Sequence, residues 1–149
     1  MKKAYSKNGD AGFTSGLSGK RLPKDHPSII MGGKIDALQS AMDLALLSAK
    51  GPAKTMLREV HGRLWQEAGR RDLDRLEEFI DRLGQTPRTF MRFSRLQAIR
   101  YNECRLRCRE LESSCTRLLR EKKMRPAAYA YLNRLSSLFF MLAYKESRR

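Results

Sequence analysis

Apolar residues recur in this chain at intervals of three and four positions, in five stretches separated by glycine and proline. This spacing puts apolar side chains on one face of an α-helix, and no stretch alternates in the manner of a strand long enough to build a sheet. A chain of 149 residues with 41% apolar content buries one substantial core. We therefore predict one all-α domain, a bundle of about five helices with short connections.

Glycine and proline predict the bounds of the first two helices. Pro27 opens a helix that runs to about Ser48, and Gly33 within its pattern indicates close approach of another backbone. Gly51-Pro52 breaks this helix, and the next one stops near Gly69. The residues predicted to face inward are Ile30, Ile35, Leu38, Met42 and Leu46 in the first helix, and Met56, Leu57, Val60, Leu64 and Ala68 in the second.

The same signals predict three further helices. Asp72 caps a third helix that ends at Gly84. Thr86-Pro87 has the pattern of a cap followed by a first-turn proline, and opens a long fourth helix that reaches Glu121. Pro126 opens the fifth helix. Their predicted inward residues are Leu73, Leu76, Phe79, Ile80, Leu83, Leu96, Cys104, Cys108, Leu111, Cys115, Leu118, Leu132, Leu135, Phe139 and Leu142.

The three cysteines lie close together on the fourth predicted helix. An odd number at this spacing does not indicate a disulfide framework. Cys104, Cys108 and Cys115 share one helix face, where small apolar side chains normally belong to the core. A metal site would require a further ligand, and the two histidines, His26 and His61, are remote in sequence. We therefore predict no metal site formed by the cysteines.

The formal charge of +15 indicates that the surface attracts anions, whether nucleic acid, an acidic protein or a nucleotide triphosphate. The cations are spread over most predicted helices, and only 8% of residues are aromatic. Specific nucleic-acid binding is therefore the less favoured alternative. No apolar run approaches the length that spans a bilayer, and Met1-Lys2-Lys3 does not lead into a signal peptide. We expect a soluble cytoplasmic protein with no membrane partner.

A glycine-rich segment, Gly9–Arg21, precedes the first predicted helix. It contains four glycines, an acidic residue, the Thr14-Ser15 pair and two cations, with Lys7 just before it. Glycines let backbone N–H groups converge on an anion, and hydroxyls and cations add donors and charge. The pattern is therefore typical of a phosphate-binding loop, although glycine-rich segments near an N-terminus are more often simply flexible.

Two predicted helices carry polar groups on defined faces. Arg105, Arg109 and Glu112 follow one another at i, i+4 and i+7, so they lie on one helix face about two turns long. A solvated, salt-bridged face would have the same pattern. On the fifth helix, Tyr131–Ser136 puts an amide, Asn133, and an arginine between apolar residues. Polar groups beside a packing stripe require partners.

Four ordered blocks resemble the PduO-type ATP:cob(I)alamin adenosyltransferases. Cys104–Glu112 resembles their R-x-x-C-R-R-x-E helix, and Tyr131–Ser136 resembles their L-N-R-L-S-D helix. Tyr5–Ser15 is similar to the nucleotide loop Y-T-[KR]-T-G-D-x-G-x-T-S, and Gly33–Leu38 to the helix start G-x-[IV]-D-E-L. Together the blocks cover nearly the whole chain.

The resemblance implies a five-helix bundle that forms a homotrimer with active sites between subunits. It implies an enzyme in which the Co(I) of reduced cobalamin attacks the ribose C5′ of ATP, so that adenosylcobalamin forms and triphosphate leaves. Residues 1–26 would be a nucleotide-binding segment and residues 27–149 the helical bundle, together one domain. Because the cobalt is itself the nucleophile, the protein needs to supply positioning and anion stabilisation.

The resemblance also implies roles for individual residues. Triphosphate and Mg²⁺ would be held by the loop residues Lys7, Gly9, Asp10, Gly12, Thr14, Ser15 and Lys20. Arg109 would contact the phosphates, and Asp36 would form an inter-subunit ion pair with Arg105. Glu112 and Asn133 would be oriented towards ATP. Phe90 matches the phenylalanine that displaces the lower axial ligand of cobalamin.

The sequence departs from the family pattern at several of these positions. Glu110 stands where the family has its second arginine, Ser137 where it has aspartate, Ala37 where it has glutamate and Asn8 where it has threonine. Met91–Arg95 replaces a proline-glycine-glycine turn. These changes support an alternative, a catalytically degenerate member that keeps the trimeric fold and binds a corrinoid, another tetrapyrrole or a protein partner. The retained glycine loop favours the transferase, since a scaffold has no need of it.

Overall fold

The structure is a computed structural model that describes residues 3–16, 19–63, 68–87, 89 and 91–149. The described residues form five α-helices, which confirms the predicted all-α bundle, and one short antiparallel hairpin, which the sequence pattern did not predict. The elements are β1 (Phe13–Ser15), β2 (Arg21–Pro23), α1 (Pro27–Leu46), α2 (Gly51–His61), α3 (Arg70–Leu83), α4 (Leu96–Arg120) and α5 (Pro126–Ser147).

Helices α4 and α5 form the centre of the bundle. α4 packs between α1 and α5, α3 packs against the other side of α5, and α2 contacts α1. α5 is the more apolar of these two helices. It supplies Phe139, the largest fully buried side chain among the described residues, and also the fully buried Leu135 and Leu138. These buried side chains hold α4 and α5 in a fixed register, since closely packed interiors leave little room to slide.

The helix starts show both confirmed and corrected predictions. α1 begins at Pro27 as predicted, and the ring Nδ1 of His26 accepts a hydrogen bond of 3.3 Å from the Ser28 N–H. α3 begins at Arg70, before the predicted cap Asp72. The Asp72 carboxylate nevertheless accepts a 2.9 Å hydrogen bond from the Gly69 N–H, so it stabilises the helix start from its first turn.

The predicted start of the fourth helix at Thr86-Pro87 is wrong, since α4 begins at Leu96. A helix from residue 86 to 121 would be about 54 Å long, whereas the 22 residues of α5 span about 33 Å. Its first turns would extend beyond the core without a packing partner. In addition, α3 packs on α5, so the chain after Gly84 must cross to the far side of α5 before α4 starts.

Two predicted inward residues are exposed, and one lies outside the described residues. Leu96 is 64% exposed and Ile30 is 45% exposed, because no other described element of this chain covers those faces of α4 and α1. Leu64 falls outside the described residues, and α2 ends at His61. A side chain at Gly33 would meet no atom within 4 Å, so the close backbone approach expected there is absent among the described residues.

The three cysteines are free thiols buried in the core, as their shared helix face predicted. Burial raises the pKa of Cys104 to about 12 and also raises the pKa of Cys108 and Cys115. The Cys108 thiol lies 3.2 Å from the Leu132 carbonyl oxygen, which ties α4 to α5. The described helices include none with the length and hydropathy needed to cross a membrane.

Candidate functional site

The polar face of α4 runs beside α5 and carries the charged residues singled out in the sequence. Arg105 and Glu112 are seven residues apart, about 10 Å along the helix, and Arg109 lies between them. At one end of this face, the Asn133 side-chain amide donates a 2.9 Å hydrogen bond to the Glu112 carboxylate. The structure thus brings Arg105, Arg109, Glu112 and Asn133 onto one surface, which the two separate helix patterns only suggested.

At the other end of the face, Arg105 lies against an aromatic ring. Its guanidinium carbon is 5.5 Å from the centroid of the Phe140 ring, and one of its nitrogens is 3.5 Å from the Asn102 side-chain oxygen. Partial burial and then the like charge of Arg109 lower the pKa of Arg105. Two neighbouring guanidinium groups that destabilise one another form a favourable place for an anion.

A groove of about 350 Å³ opens beside Arg105. Phe93 and Phe140 meet there edge to face, with ring centroids 6.3 Å apart. The groove is lined by Thr89, Met91, Phe93, Asn102, Arg105, Leu106 and Phe140. Phe90, which the sequence singled out, lies outside the described residues, but both of its neighbours line this groove.

Sequence reasoning missed Phe93 and Phe140 as site residues. Phe140 follows Asn133 by seven positions, which puts both on the same face of α5, and this spacing was a usable signal. Phe93 lies in Met91–Arg95, which the sequence singled out as the replacement of the family's turn, but helical spacing had assigned it to the predicted fourth helix. Its place in an irregular segment became visible only in the fold.

The Glu110 carboxylate is held by a cation of its own helix. It lies 3.2 Å from a guanidinium nitrogen of Arg107, which also forms a 2.8 Å contact with Glu103. The hydrogen bond that Arg107 donates to Glu110 raises the pKa of Arg107, and the charges of Glu103 and Glu110 raise it further. Arg107 therefore partly neutralises the negative charge of Glu110, which stands where the family has an arginine. This reduces the effect of Glu110 on the neighbouring Arg109.

The glycine-rich segment folds into the β1–β2 hairpin. Thr14 pairs with Leu22 and Ser15 with Arg21, while the Asp10 and Gly12 amides form turns with the carbonyl oxygens of Lys7 and Gly9. Gly12 and Gly19 have φ values of 81° and 76°, in the region that favours glycine. The turns thus use two of the backbone amides that the sequence assigned to an anion.

Cations surround the turn at Gly9. Arg21 donates a 2.7 Å hydrogen bond to the Asn8 carbonyl oxygen. The Lys24 ammonium lies so close to Gly9 that a Cβ atom added there would be 3.1 Å from its nitrogen. Lys24 was not among the predicted residues, since it follows the glycine-rich segment. The predicted residues Lys7 and Lys20 are exposed.

The hairpin does not pack closely on α4 or α5 within the described part of a single chain. Within the described ranges, no hydrogen bond or ion pair joins the hairpin to α4 or α5. Asp36 is exposed on α1, and it makes no ion pair with Arg105 in this chain. The separation is compatible with the inter-subunit site that the resemblance implied.

Comparison with known proteins identifies relatives over nearly the whole chain. The family model for cobalamin adenosyltransferases matches residues 4–146. The corrinoid adenosyltransferase PduO of Citrobacter freundii is 29% identical over 164 aligned residues, which cover 95% of this chain and 49% of that protein. A second corrinoid adenosyltransferase of Citrobacter freundii is 26% identical over 167 aligned residues, which cover 96% of this chain and 94% of that protein. The chain thus spans about half the length of the first relative and nearly all of the second.

Solved structures share the fold. A variant PduO-type ATP:corrinoid adenosyltransferase from Lactobacillus reuteri, complexed with cobalamin and ATP, superimposes with a TM-score of 0.82 at 22% identity. The match covers 98% of this chain and 94% of that one. Another variant from Lactobacillus reuteri, complexed with ATP, has a TM-score of 0.80 at 23% identity, with 97% and 94% coverage. At this level of identity the likeness establishes the fold.

Proposed function

This chain belongs to the cobalamin adenosyltransferase family, and we propose that it transfers the 5′-deoxyadenosyl group from ATP to reduced cobalamin. The observation that carries the proposal is the single α4–α5 surface on which Arg105, Arg109, Glu112 and Asn133 meet beside an aromatic groove. In the reaction, a cobalt electron pair forms the Co–C5′ bond. The C5′–O bond breaks, and triphosphate leaves with that bonding pair.

The residues of the face have complementary roles in this proposal. Arg109 binds the phosphates and stabilises the negative charge that grows on the leaving triphosphate. Glu112 and Asn133 orient ATP at one end of the face, and Arg105, paired with Asp36 of a second copy, closes the other end. The partial burial and like-charge contact that lower the pKa of Arg105 favour such an added negative partner.

We assign the triphosphate and its Mg²⁺ to the hairpin. The donors available there are hard oxygen ligands, the carboxylate of Asp10 and the hydroxyls of Thr14 and Ser15, and these suit Mg²⁺. No cluster of three or more potential metal ligands of the His, Cys, Asp or Glu type occurs in the described part of the chain. A Mg²⁺ ion that is bound mainly through substrate phosphates needs no such cluster. Gly9, Gly12, Lys7 and Lys20 complete the proposed loop.

The aromatic groove is the proposed corrin side of the site. Its apolar lining and its closeness to Phe90 in sequence support this assignment. A volume of about 350 Å³ accommodates only part of a corrinoid, so the rest would lie across the surface or against a second copy. Met91 and Phe93 form part of the groove wall. In this proposal, Met91–Arg95 therefore lines the corrin side of the site in place of the family's turn.

A homotrimer with sites between subunits is part of the proposal. Two neighbouring helices expose large apolar side chains, which are Ile30, Leu44 and the C-cap residue Leu47 of α1 and Leu96, Ile99 and Leu106 of α4. Large apolar side chains that are exposed on adjacent helices are typical of an interaction surface. In the proposed trimer, the hairpin of a second copy would complete the site at the α4–α5 face. The free, buried thiols are also compatible with the reducing cytoplasm as the place of action.

The proposal is tested by an anaerobic assay with chemically reduced cobalamin, ATP and Mg²⁺. We expect the visible spectrum to convert to that of the photolabile alkylcobalamin, with one triphosphate released for each corrinoid converted. A protein-free reaction is the control, and sedimentation of the same sample measures the oligomeric state. If no conversion occurs while ATP and corrinoid remain intact, the protein is a degenerate family member and the proposed activity is wrong.

A further inference from the structure

A chain of hydrogen bonds continues from the α4–α5 face to α3 through Arg134 and Glu77, which have no role in the function proposed above. Asn133 donates to Glu112, and its side-chain oxygen accepts a 2.8 Å hydrogen bond from a terminal guanidinium nitrogen of Arg134. The Nε of Arg134 in turn donates to the Glu77 carboxylate on α3, at 2.9 Å. Three helices are thereby linked in the order α4, α5, α3.

The chemistry of these neighbours determines which way the Asn133 amide points. A guanidinium only donates hydrogen bonds, and an ionised carboxylate only accepts them. If the amide were turned over, its oxygen would face the Glu112 carboxylate and its NH₂ group would face Arg134, so both contacts would be repulsive. Because Arg134 is present, the Asn133 NH₂ group is directed at Glu112.

We propose that Arg134 is a positioning residue of the ATP site, which acts through the Asn133 amide on the Glu112 carboxylate and is anchored by Glu77. The inference rests on the proposed function. Arg134 and Glu77 have side chains 45% and 38% exposed, so their ion pair contributes little to stability. Removal of Arg134 therefore leaves the bundle folded and releases the orientation of Asn133.

A double-mutant cycle distinguishes positioning from a general effect of charge. Arg134→Met is expected to lower kcat/KM for ATP roughly tenfold in the wild-type background, since small misplacements of site groups are costly. In an Asn133→Ala background the same substitution is expected to change kcat/KM less than about twofold, because the amide that links Arg134 to Glu112 is already absent. Equal losses in both backgrounds would overturn the proposal.

Two further variants identify the geometry that is required. Arg134→Lys keeps the charge but not the planar fork that reaches both partners, so we expect it to behave like Arg134→Met. Recovery of wild-type kcat/KM in Arg134→Lys would show that only charge matters, and would overturn the proposal. Arg70→Met is the matched control, because Arg70 makes an exposed ion pair on α3 with the same 2.9 Å Nε contact, to Asp74. It is expected to leave kcat/KM unchanged.

A measurement without corrinoid separates this inference from the proposed function. In an NMR spectrum of the ¹⁵N-labelled protein, the Asn133 side-chain amide is identified by its loss in Asn133→Ala. We expect its hydrogen exchange to be several-fold faster in Arg134→Met and unchanged in Arg70→Met. If Arg134→Met leaves this signal unchanged, the positioning role is wrong, whatever the turnover. If the signal responds but the wild type lacks turnover, the positioning role holds and the proposed reaction fails.

Discussion

The β1–β2 hairpin and the α4–α5 face carry the two halves of the proposed ATP site, yet they are held in place by different forces. Behind the face lie fully buried side chains such as Leu135, Phe139 and Cys108. The hairpin is held mainly by its own backbone hydrogen bonds and by the Arg21 contact to Asn8. The helical half is therefore formed before ligand binds, and we expect the position of the hairpin to depend more on the group that it contacts.

The largest expected difference between the two regions is in stability. Phe139 is completely buried, and Phe139→Ala is expected to lower the free energy of unfolding by about 3–5 kcal/mol. Phe13 in β1 is 43% exposed, and Phe13→Ala is expected to cost less than about 1 kcal/mol. Urea unfolding of both variants checks this, and similar losses would show that the hairpin is as well packed as the core.

Arg109 tests the helical half of the site. Arg109→Ala is expected to lower kcat by roughly 100-fold to 1,000-fold, because it removes a donor to charge that develops in the transition state. The Arg109 side chain is exposed and makes no ion pair with other described residues. The melting temperature and oligomeric state of Arg109→Ala should therefore equal those of the wild type. Arg120→Ala, at the exposed end of the same helix, is the control. Unchanged turnover in Arg109→Ala would refute the assigned role.

The buried thiols of α4 give the stability of the core a pH dependence. Cys104 has an ordinary pKa of 9.0 when unfolded and of about 12 when buried. The folded state therefore keeps the proton longer, so its stability is unaffected below pH 9 and falls as the pH rises towards 12. We expect a loss on the order of 1 kcal/mol at pH 10. Unfolding curves of the wild type and Cys104→Ala between pH 7 and pH 10 isolate this contribution, and equal slopes would contradict it.

Gly12 tests the hairpin half. Its φ of 81° is unfavourable for other residues, at a cost of about 1 kcal/mol, so Gly12→Ala is expected to weaken ATP binding roughly fivefold. Gly12→Asn should retain more affinity, since asparagine tolerates this backbone conformation. Calorimetric titration with ATP and Mg²⁺ measures both, and equal affinities for all three proteins would show that the turn does not matter.

The smallest expected effect has the opposite sign and lies in α1. Gly32 is within the helix, and a side chain there would meet no atom within 4 Å. Gly32→Ala is therefore expected to raise the free energy of unfolding by about 0.5–1 kcal/mol. Thermal unfolding checks the shift. A loss of stability or of self-association would indicate that a second copy packs against this glycine.

Local patterns predicted more of the fold than of the site. The five helices, the starts at Pro27 and Pro126 and the buried cysteine face follow from periodicity and from breaker residues close in sequence. The start of α4 could not be predicted in this way. The cap pattern at Thr86-Pro87 favoured a helix there, but the chain must first cross from one side of α5 to the other. For the site, the sequence suggested that Glu112 and Asn133 both face ATP, but not that Asn133 hydrogen-bonds to Glu112 and to Arg134.

The sequence by itself determined the helical class, the family and the charged face of α4, since these depend on residue types at fixed spacings. Only the tertiary structure decided which helices adjoin α5, where the aromatic groove opens, and how Arg134 is linked to α3. Those features depend on contacts between residues far apart along the chain, such as Arg105 with Phe140 and Glu77 with Arg134. Periodicity assigns each residue to a face of its helix, but the partner of that face is set by how all the helices pack together.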